Sequence, residues 1–261
     1  MMTRIITGAV IAVVAVVVVA HGGLIYFLLL LALALLGLNE YFRLMRMYRP
    51  LPLPGLAALV VMLVLAWFRT PFGVLGAAAL AILLVALAGL LIGPKRGVSG
   101  RMAVTLLGVL YLGFGFSALL LMRRFDGGAW IVATVIFGTW AGDTMAYFTG
   151  RWFGSTPMAP VLSPKKTWEG FAGGAISTVL LCVFLGLYSP LGPGLKSLAL
   201  GAVIAVMGPL GDLFESLLKR DVQIKESGRG LPGHGGFLDR FDALLWASVA
   251  SYFLLAVVFA F

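Results

Sequence analysis

Eight of the ten acidic residues in this sequence stand at or after position 143: Asp143, Glu169, Asp212, Glu215, Asp221, Glu226, Asp239 and Asp242. Lysines and arginines collect beside them. Hard carboxylate oxygens next to cationic side chains suit a divalent ion such as Mg²⁺ together with a phosphorylated substrate. A carboxylate inside an apolar stretch is costly in lipid and normally faces a partner or a wet cavity, so each one is a functional candidate.

The candidates fall into three groups. Gly142-Asp143-Thr144 ends an apolar run and is followed by Arg151 and by Ser163-Pro164-Lys165-Lys166-Thr167-Trp168-Glu169-Gly170. Two adjacent lysines beside a helix start suit an anionic phosphate, although Ser163 or Thr167 also reads as a cap. In the second group Asp212, Glu215, Ser216 and Lys219 stand at i, i+3, i+4 and i+7, one face of a helix. Glu215 and Lys219 also read as a simple i,i+4 ion pair, whereas Asp212 lies two turns deeper and has no such account. The third group runs from Lys225 to Asp242. Its glycines, with His234 between Gly233 and Gly235, would let backbone N–H groups approach a phosphate. Asp239 and Asp242 then open the last apolar run at i and i+3, where carboxylates are also ordinary caps.

Some chemistries are excluded. The chain has two histidines and one cysteine, Cys182, so it holds no Cys/His zinc set and no intramolecular disulfide. Neither a Gly-x-Ser-x-Gly elbow nor a Walker-type phosphate loop is present. What remains is Mg²⁺-assisted phosphoryl or nucleotidyl transfer on a lipid, or a transporter that handles phosphates.

The elements that must position these residues are membrane helices. Hydrophobic residues make up 61% of the chain and charged residues 11%, with mean hydropathy +1.07. A soluble domain carries about 25% charged residues. The expected fold class is therefore all-α, a polytopic integral membrane helical bundle. Nine spans are read near residues 4–20, 24–39, 54–68, 72–92, 103–122, 129–149, 170–188, 196–218 and 241–261, the third of them short for a bilayer. Residues 1–20 share the pattern of a signal peptide, but the next span follows almost at once, so they read as a retained first helix. With nine spans, 15 of the 19 lysines and arginines fall on the N-terminal side of the membrane, which the positive-inside rule makes cytoplasmic. The expectation is one membrane domain over 1–261, with N-terminal helices over 1–128 and the catalytic helices and cytoplasmic loops over 129–261. The net charge of +9 has no soluble basic domain to hold a duplex, so anionic lipid headgroups or a nucleotide phosphate fit it and nucleic acid does not.

The run Ser216-x-Leu218-Lys219-Arg220, then Lys225, then Pro232-Gly233-His234-Gly235-Gly236-Phe237-Leu238-Asp239-Arg240-Phe241-Asp242 resembles the signature of the phosphatidate cytidylyltransferase (CDP-diacylglycerol synthase) family. Asp143, the run Ser163 to Gly170 and Glu40-Tyr41-Phe42-Arg43-Leu44 resemble the same family. Glu226 departs from it, standing where the family usually has Asp. The resemblance implies that CTP and phosphatidate give CDP-diacylglycerol and pyrophosphate, with Mg²⁺ and room for a second cation, at a bacterial inner membrane. It implies metal binding by Asp212 and Asp239 and catalytic roles for these two with Lys219, Arg220 and Lys225. It also implies substrate binding by Asp143, Ser163, Lys165, Lys166, Ser216, His234, Gly235, Gly236 and Arg240. A homodimer is compatible with it.

Overall fold

Long apolar runs broken by Gly-Pro and Gly-Gly pairs can satisfy their backbone groups in lipid only as helices. The computed structural model, which describes residues 13–68, 71–224 and 236–260, follows that rule. A helix over residues 13–21 (α1) leads into α2 (Gly23–Leu44), α3 (Pro52–Trp67), α4 (Pro71–Ile92), α5 (Val98–Met122) and α6 (Gly128–Phe153). A two-stranded antiparallel hairpin, β1 (Pro157–Ala159) and β2 (Ser163–Thr167), precedes α7 (Trp168–Gly186), α8 (Leu195–Asp221) and α9 (Leu238–Phe253). A π-helical turn, Leu254–Val258, continues α9.

Among the described residues seven helices are long and apolar enough to cross a membrane: α2, α4, α5, α6, α7, α8 and α9 with its π-helical extension. The chain is a multi-pass membrane protein. Two further expected spans stand apart from these seven. That at 4–20 lies mostly outside the described residues. That at 54–68 is α3, whose 16 residues reach about 24 Å, short of a hydrocarbon core of about 30 Å. The hairpin is a departure from an all-α fold, small and confined to the polar segment between two spans.

The chain divides into two compact units, Met1–Leu121 with Val222–Asp239, and Met122–Asp221 with Arg240–Phe261. The segment from Val222 to Asp239, read from sequence with the catalytic half, thus groups with the first unit.

In the first unit, tyrosines tie the helices through backbone carbonyls. The Tyr26 hydroxyl donates to Leu119 O at 3.0 Å and that of Tyr41 to Val104 O at 3.1 Å. Gly108 lacks a side chain where the Tyr41 ring lies, and Tyr41 is fully buried there. The Leu51 N–H at the start of α3 donates to Thr105 Oγ1 at 2.8 Å, and that hydroxyl donates in turn to Arg101 O at 2.7 Å. A buried threonine from α5 thereby satisfies a helix end that has no local cap.

In the second unit α6 and α7 pack along small residues. A β-carbon on Gly174 would stand 2.7 Å from the Gly142 carbonyl oxygen, and one on Gly170 would stand 2.8 Å from that of Ala146. Small residues at four-residue spacing let two backbones approach in lipid, where packing rather than hydrophobicity drives association. Thr178 donates across this contact to Gly138 O at 3.1 Å. The Thr167 hydroxyl caps α7 by accepting from the Gly170 N–H at 3.2 Å.

Candidate active site

Three helices and one strand of the second unit bring charged groups together. On α8, Pro209 has no N–H to give to the Ala205 carbonyl, so the ladder is broken one turn before Asp212. Gly211 follows, and its bare Cα accepts the Asp242 backbone of α9, which a β-carbon would overlap. This close crossing places Asp212 and Glu215 beside Asp242. Asp143 reaches the same region from α6, within electrostatic range of Asp242, Asp212 and Lys166.

Lys166 of β2 supplies the counter-charge. Its Nζ lies 2.7 Å from Asp212 Oδ2 and donates to Pro209 O at 3.4 Å. Successive strand residues point to opposite faces. Lys166 turns inward while Lys165 is exposed, so only one of the two adjacent lysines joins the cluster. Ser163 opens β2 opposite Ala159, apart from these contacts.

Further along α8, Lys219 Nζ donates to Glu215 Oε2 at 3.0 Å, with the Glu215 side chain 1% exposed and that of Lys219 14%. The i,i+4 pair is present, and it is buried. Asp242 is buried as well; its Oδ1 accepts from the Ala243 N–H at 2.7 Å, and its carboxyl interacts with Asp212, Glu215 and Lys219. Four carboxylates from three helices thus meet two lysines. Only Glu215 and Asp242 of the four are buried, and these two share a hydrogen bond, whereas Asp143 and Asp212 are more open. The repulsion among Asp143, Asp212 and Asp242 is what a bound cation would relieve.

The remaining expected residues divide three ways. Ser216 is half-buried on α8 next to Glu215, and Arg220 is exposed at that helix's end. In the first unit, Asp239 Oδ2 accepts from the Gly236 N–H at 3.2 Å; Arg240, which belongs to the second unit, is exposed. Lys225, Glu226, Arg229, His234 and Gly235 lie outside the described residues.

Two carboxylates that the sequence grouped with the phosphate-binding run or read as a cap change meaning. Glu169 accepts from the Ser155 N–H, the Ser155 hydroxyl and the Thr156 N–H, which fixes the turn after α6. Asp242 is a member of the charged cluster. Its signal in the sequence is a second carboxylate one turn after Asp239 within an apolar helix.

The cytidylyltransferase family model matches residues 2–258. The chain belongs to that family. Among curated relatives, a phosphatidate cytidylyltransferase of Bacillus subtilis is 35% identical over 265 aligned positions, covering 98% of each chain. One of Staphylococcus epidermidis is 33% identical over 88% of this chain and 89% of its own. One of Thermotoga maritima is 39% identical over 58% of this chain and 57% of its own. A cytidylyltransferase must hold a triphosphate against an acceptor, and the Asp143–Lys166–Asp212–Glu215–Lys219–Asp242 cluster provides both signs of charge for that task.

The donor set can be tested for a divalent ion. Among the described residues no three metal-capable side chains converge as a ready-made ligand set. Mg²⁺ rarely takes such a cage; it binds one or two carboxylates and completes its shell with substrate phosphates and water. Oxygen donors in a region of excess negative charge fit that habit, so the residues present fit Mg²⁺.

Proposed function

We propose that this cytidylyltransferase transfers the cytidylyl group of CTP to phosphatidate, forming CDP-diacylglycerol and pyrophosphate with Mg²⁺. The observation that supports this reading is the cluster of Asp143, Asp212, Glu215 and Asp242 with Lys166 and Lys219, in a chain whose full-length relatives are phosphatidate cytidylyltransferases.

A phosphatidate oxygen attacks the α-phosphorus of CTP. The new P–O bond forms as the bond to the β-phosphate oxygen breaks, and pyrophosphate leaves. A phosphate monoester is already anionic near pH 7, its second pKa being about 6, so no strong general base is required. The protein contributes position and charge neutralisation. Lys166 and Lys219, with Lys165, Arg220, Lys225 and Arg240, divide between the triphosphate and the lipid phosphate. Ser163, Ser216, His234, Gly235 and Gly236 hold the nucleotide. Asp212 and Asp239 would hold Mg²⁺, with Asp143 near it. When bound, the ion supplies Lewis-acid stabilisation of charge on the phosphates.

On the same reading the N-terminus and the catalytic loops face the cytoplasm of a bacterial inner membrane, supported by the 15 of 19 basic residues that a nine-span count puts on that side. The deciding experiment incubates purified protein with CTP, Mg²⁺ and phosphatidate. CDP-diacylglycerol with pyrophosphate is expected. A phosphorylated lipid with CDP would instead identify a CTP-dependent kinase, and CTP-independent solute movement in sealed vesicles a transporter.

A further inference from the structure

Glu40 lies one turn before the end of α2, buried at 8% exposure, and it is the acidic member of a run that no step above uses. Its Oε2 accepts from the Phe237 N–H at 2.9 Å and its Oε1 from the Leu238 N–H at 3.1 Å. Asp239 accepts from the N–H of Gly236. Three consecutive amides, 236 to 238, therefore donate to two carboxylates, and the distant one takes two of them. All of these residues lie in one compact unit.

A cap alone would not need this arrangement. With α9 starting at Leu238, a serine, threonine or aspartate at its N-cap would accept from the amides of 239 or 240, whereas Glu40 takes those of 237 and 238 with a carboxylate brought from 197 residues away. What the long-range grip adds is a fixed place for the head of α9 relative to α2. The socket is shaped for it: Phe237 is buried, and Gly37, one turn before Glu40, leaves space that a β-carbon would narrow to 3.2 Å from the Phe237 ring and Leu112. A side chain with two charge-assisted hydrogen bonds is also directional, where an apolar contact is not. The held residues end the glycine-rich segment and immediately precede Asp239.

We infer that Glu40 is a positioning residue, acting through the backbone amides of Phe237 and Leu238 to set the helix start that presents Asp239. The catalytic consequence rests on the cytidylyl-transfer reading; the grip itself does not.

Glu40→Gln puts an amide NH₂ against one backbone N–H and removes the charge, and Glu40→Asp keeps the charge but shortens the reach. Both are compared with wild type by hydrogen exchange of peptides covering 236–240, and by kcat and KM with CTP and phosphatidate. Losing a charge-assisted hydrogen bond at this site corresponds to about 10-fold or more. The expected result in Glu40→Gln is about 10-fold faster exchange at 237–238, with α6 and α7 peptides unchanged. A similar fall in kcat should accompany it, with KM for phosphatidate held within about twofold, and Glu40→Asp should lie between. Unchanged exchange in both variants overturns the grip. Faster exchange with unaltered kcat reduces Glu40 to a cap and overturns the positioning role, as does faster exchange spread evenly over all helices. If wild type makes no CDP-diacylglycerol, the cytidylyl-transfer reading fails while the exchange comparison still reads the grip.

Discussion

Lys166 Nζ and Asp212 Oδ2 stand 2.7 Å apart, joining a strand of the hairpin to α8 directly after its proline. The pair is half-exposed, 24% for the lysine side chain and 37% for the aspartate. Its worth as stability is therefore small, about 0–1 kcal/mol. Its worth to the reaction is larger if the lysine also meets phosphate, so the two quantities should separate. Lys166→Met is expected to leave the detergent-solubilised protein folded, with a thermal midpoint within a few degrees of wild type, while lowering CDP-diacylglycerol synthesis about 10²-fold. Lys165→Met, on the exposed face of the same strand, should cost less than tenfold. Equal losses from the two lysines would remove the distinction that the strand makes between them.

Asp212 and Asp239 carry the metal assignment, and asparagine tests it with little change of shape. In Asp239→Asn the side-chain amide oxygen can still accept from the Gly236 N–H, as Asp239 Oδ2 now does at 3.2 Å. A loss in that variant therefore reports charge rather than a broken cap. Both variants should insert normally and lose about 10²-fold or more of turnover, equivalent to several kcal/mol of phosphate-charge stabilisation. Mg²⁺ titration checks the cause, since the residual activity should require more Mg²⁺ than wild type. Near wild-type synthesis by either purified variant would reject the assignment.

How much of this could be read from residues alone depends on the range of the contact. The α8 face was legible because 3.6-residue periodicity is local: Glu215 and Lys219 pair as their spacing requires. Lys165 and Lys166 were legible as a basic pair but not as opposite faces, because a short strand in a polar segment leaves no apolar alternation to read. Asp242 and Glu40 were harder. Each looks like a helix-end residue in sequence, and its meaning comes from Gly211 or from the Phe237 and Leu238 amides, partners set by tertiary packing. The spans were visible as hydropathy, whereas the Gly142–Gly174 approach was not, because a glycine does not announce the backbone it admits.

Lys219 has both a structural and a proposed catalytic role, and a double substitution distinguishes them. Removing it alone takes the cation from Glu215, which is 1% exposed, and breaking a buried pair from one side costs about 3–5 kcal/mol. Lys219→Met should therefore lower the thermal midpoint as well as activity. Adding Glu215→Gln removes the charge that Lys219 balanced and should restore most of the stability. If Lys219 also meets phosphate, the stable double variant stays at least about tenfold slow. Recovery of full activity along with stability would confine Lys219 to pairing with Glu215.

Asp242 offers a test in which stability and activity move in opposite directions. Asp242 is 7% exposed and its carboxyl is set against the Asp212 charge, only partly offset by a hydrogen bond from Glu215, so the charge is costly without a cation. Asparagine removes the charge yet retains an oxygen for the Ala243 N–H, now held at 2.7 Å. With Mg²⁺ chelated, Asp242→Asn is expected to be more stable than wild type by about 0.5–2 kcal/mol, the gain usual when a functional strain is released. Adding Mg²⁺ with CTP should stabilise wild type more than the variant, because the ligands bind a site whose negative charge the substitution has lowered. Activity should fall about tenfold or more. Thermal midpoints in chelator, in Mg²⁺ and in Mg²⁺ with CTP measure all three differences. A variant less stable than wild type in chelator would show that Asp242 is held by attraction to its neighbours, and that the carboxylates of α8 and α9 do not form a strained, cation-seeking set.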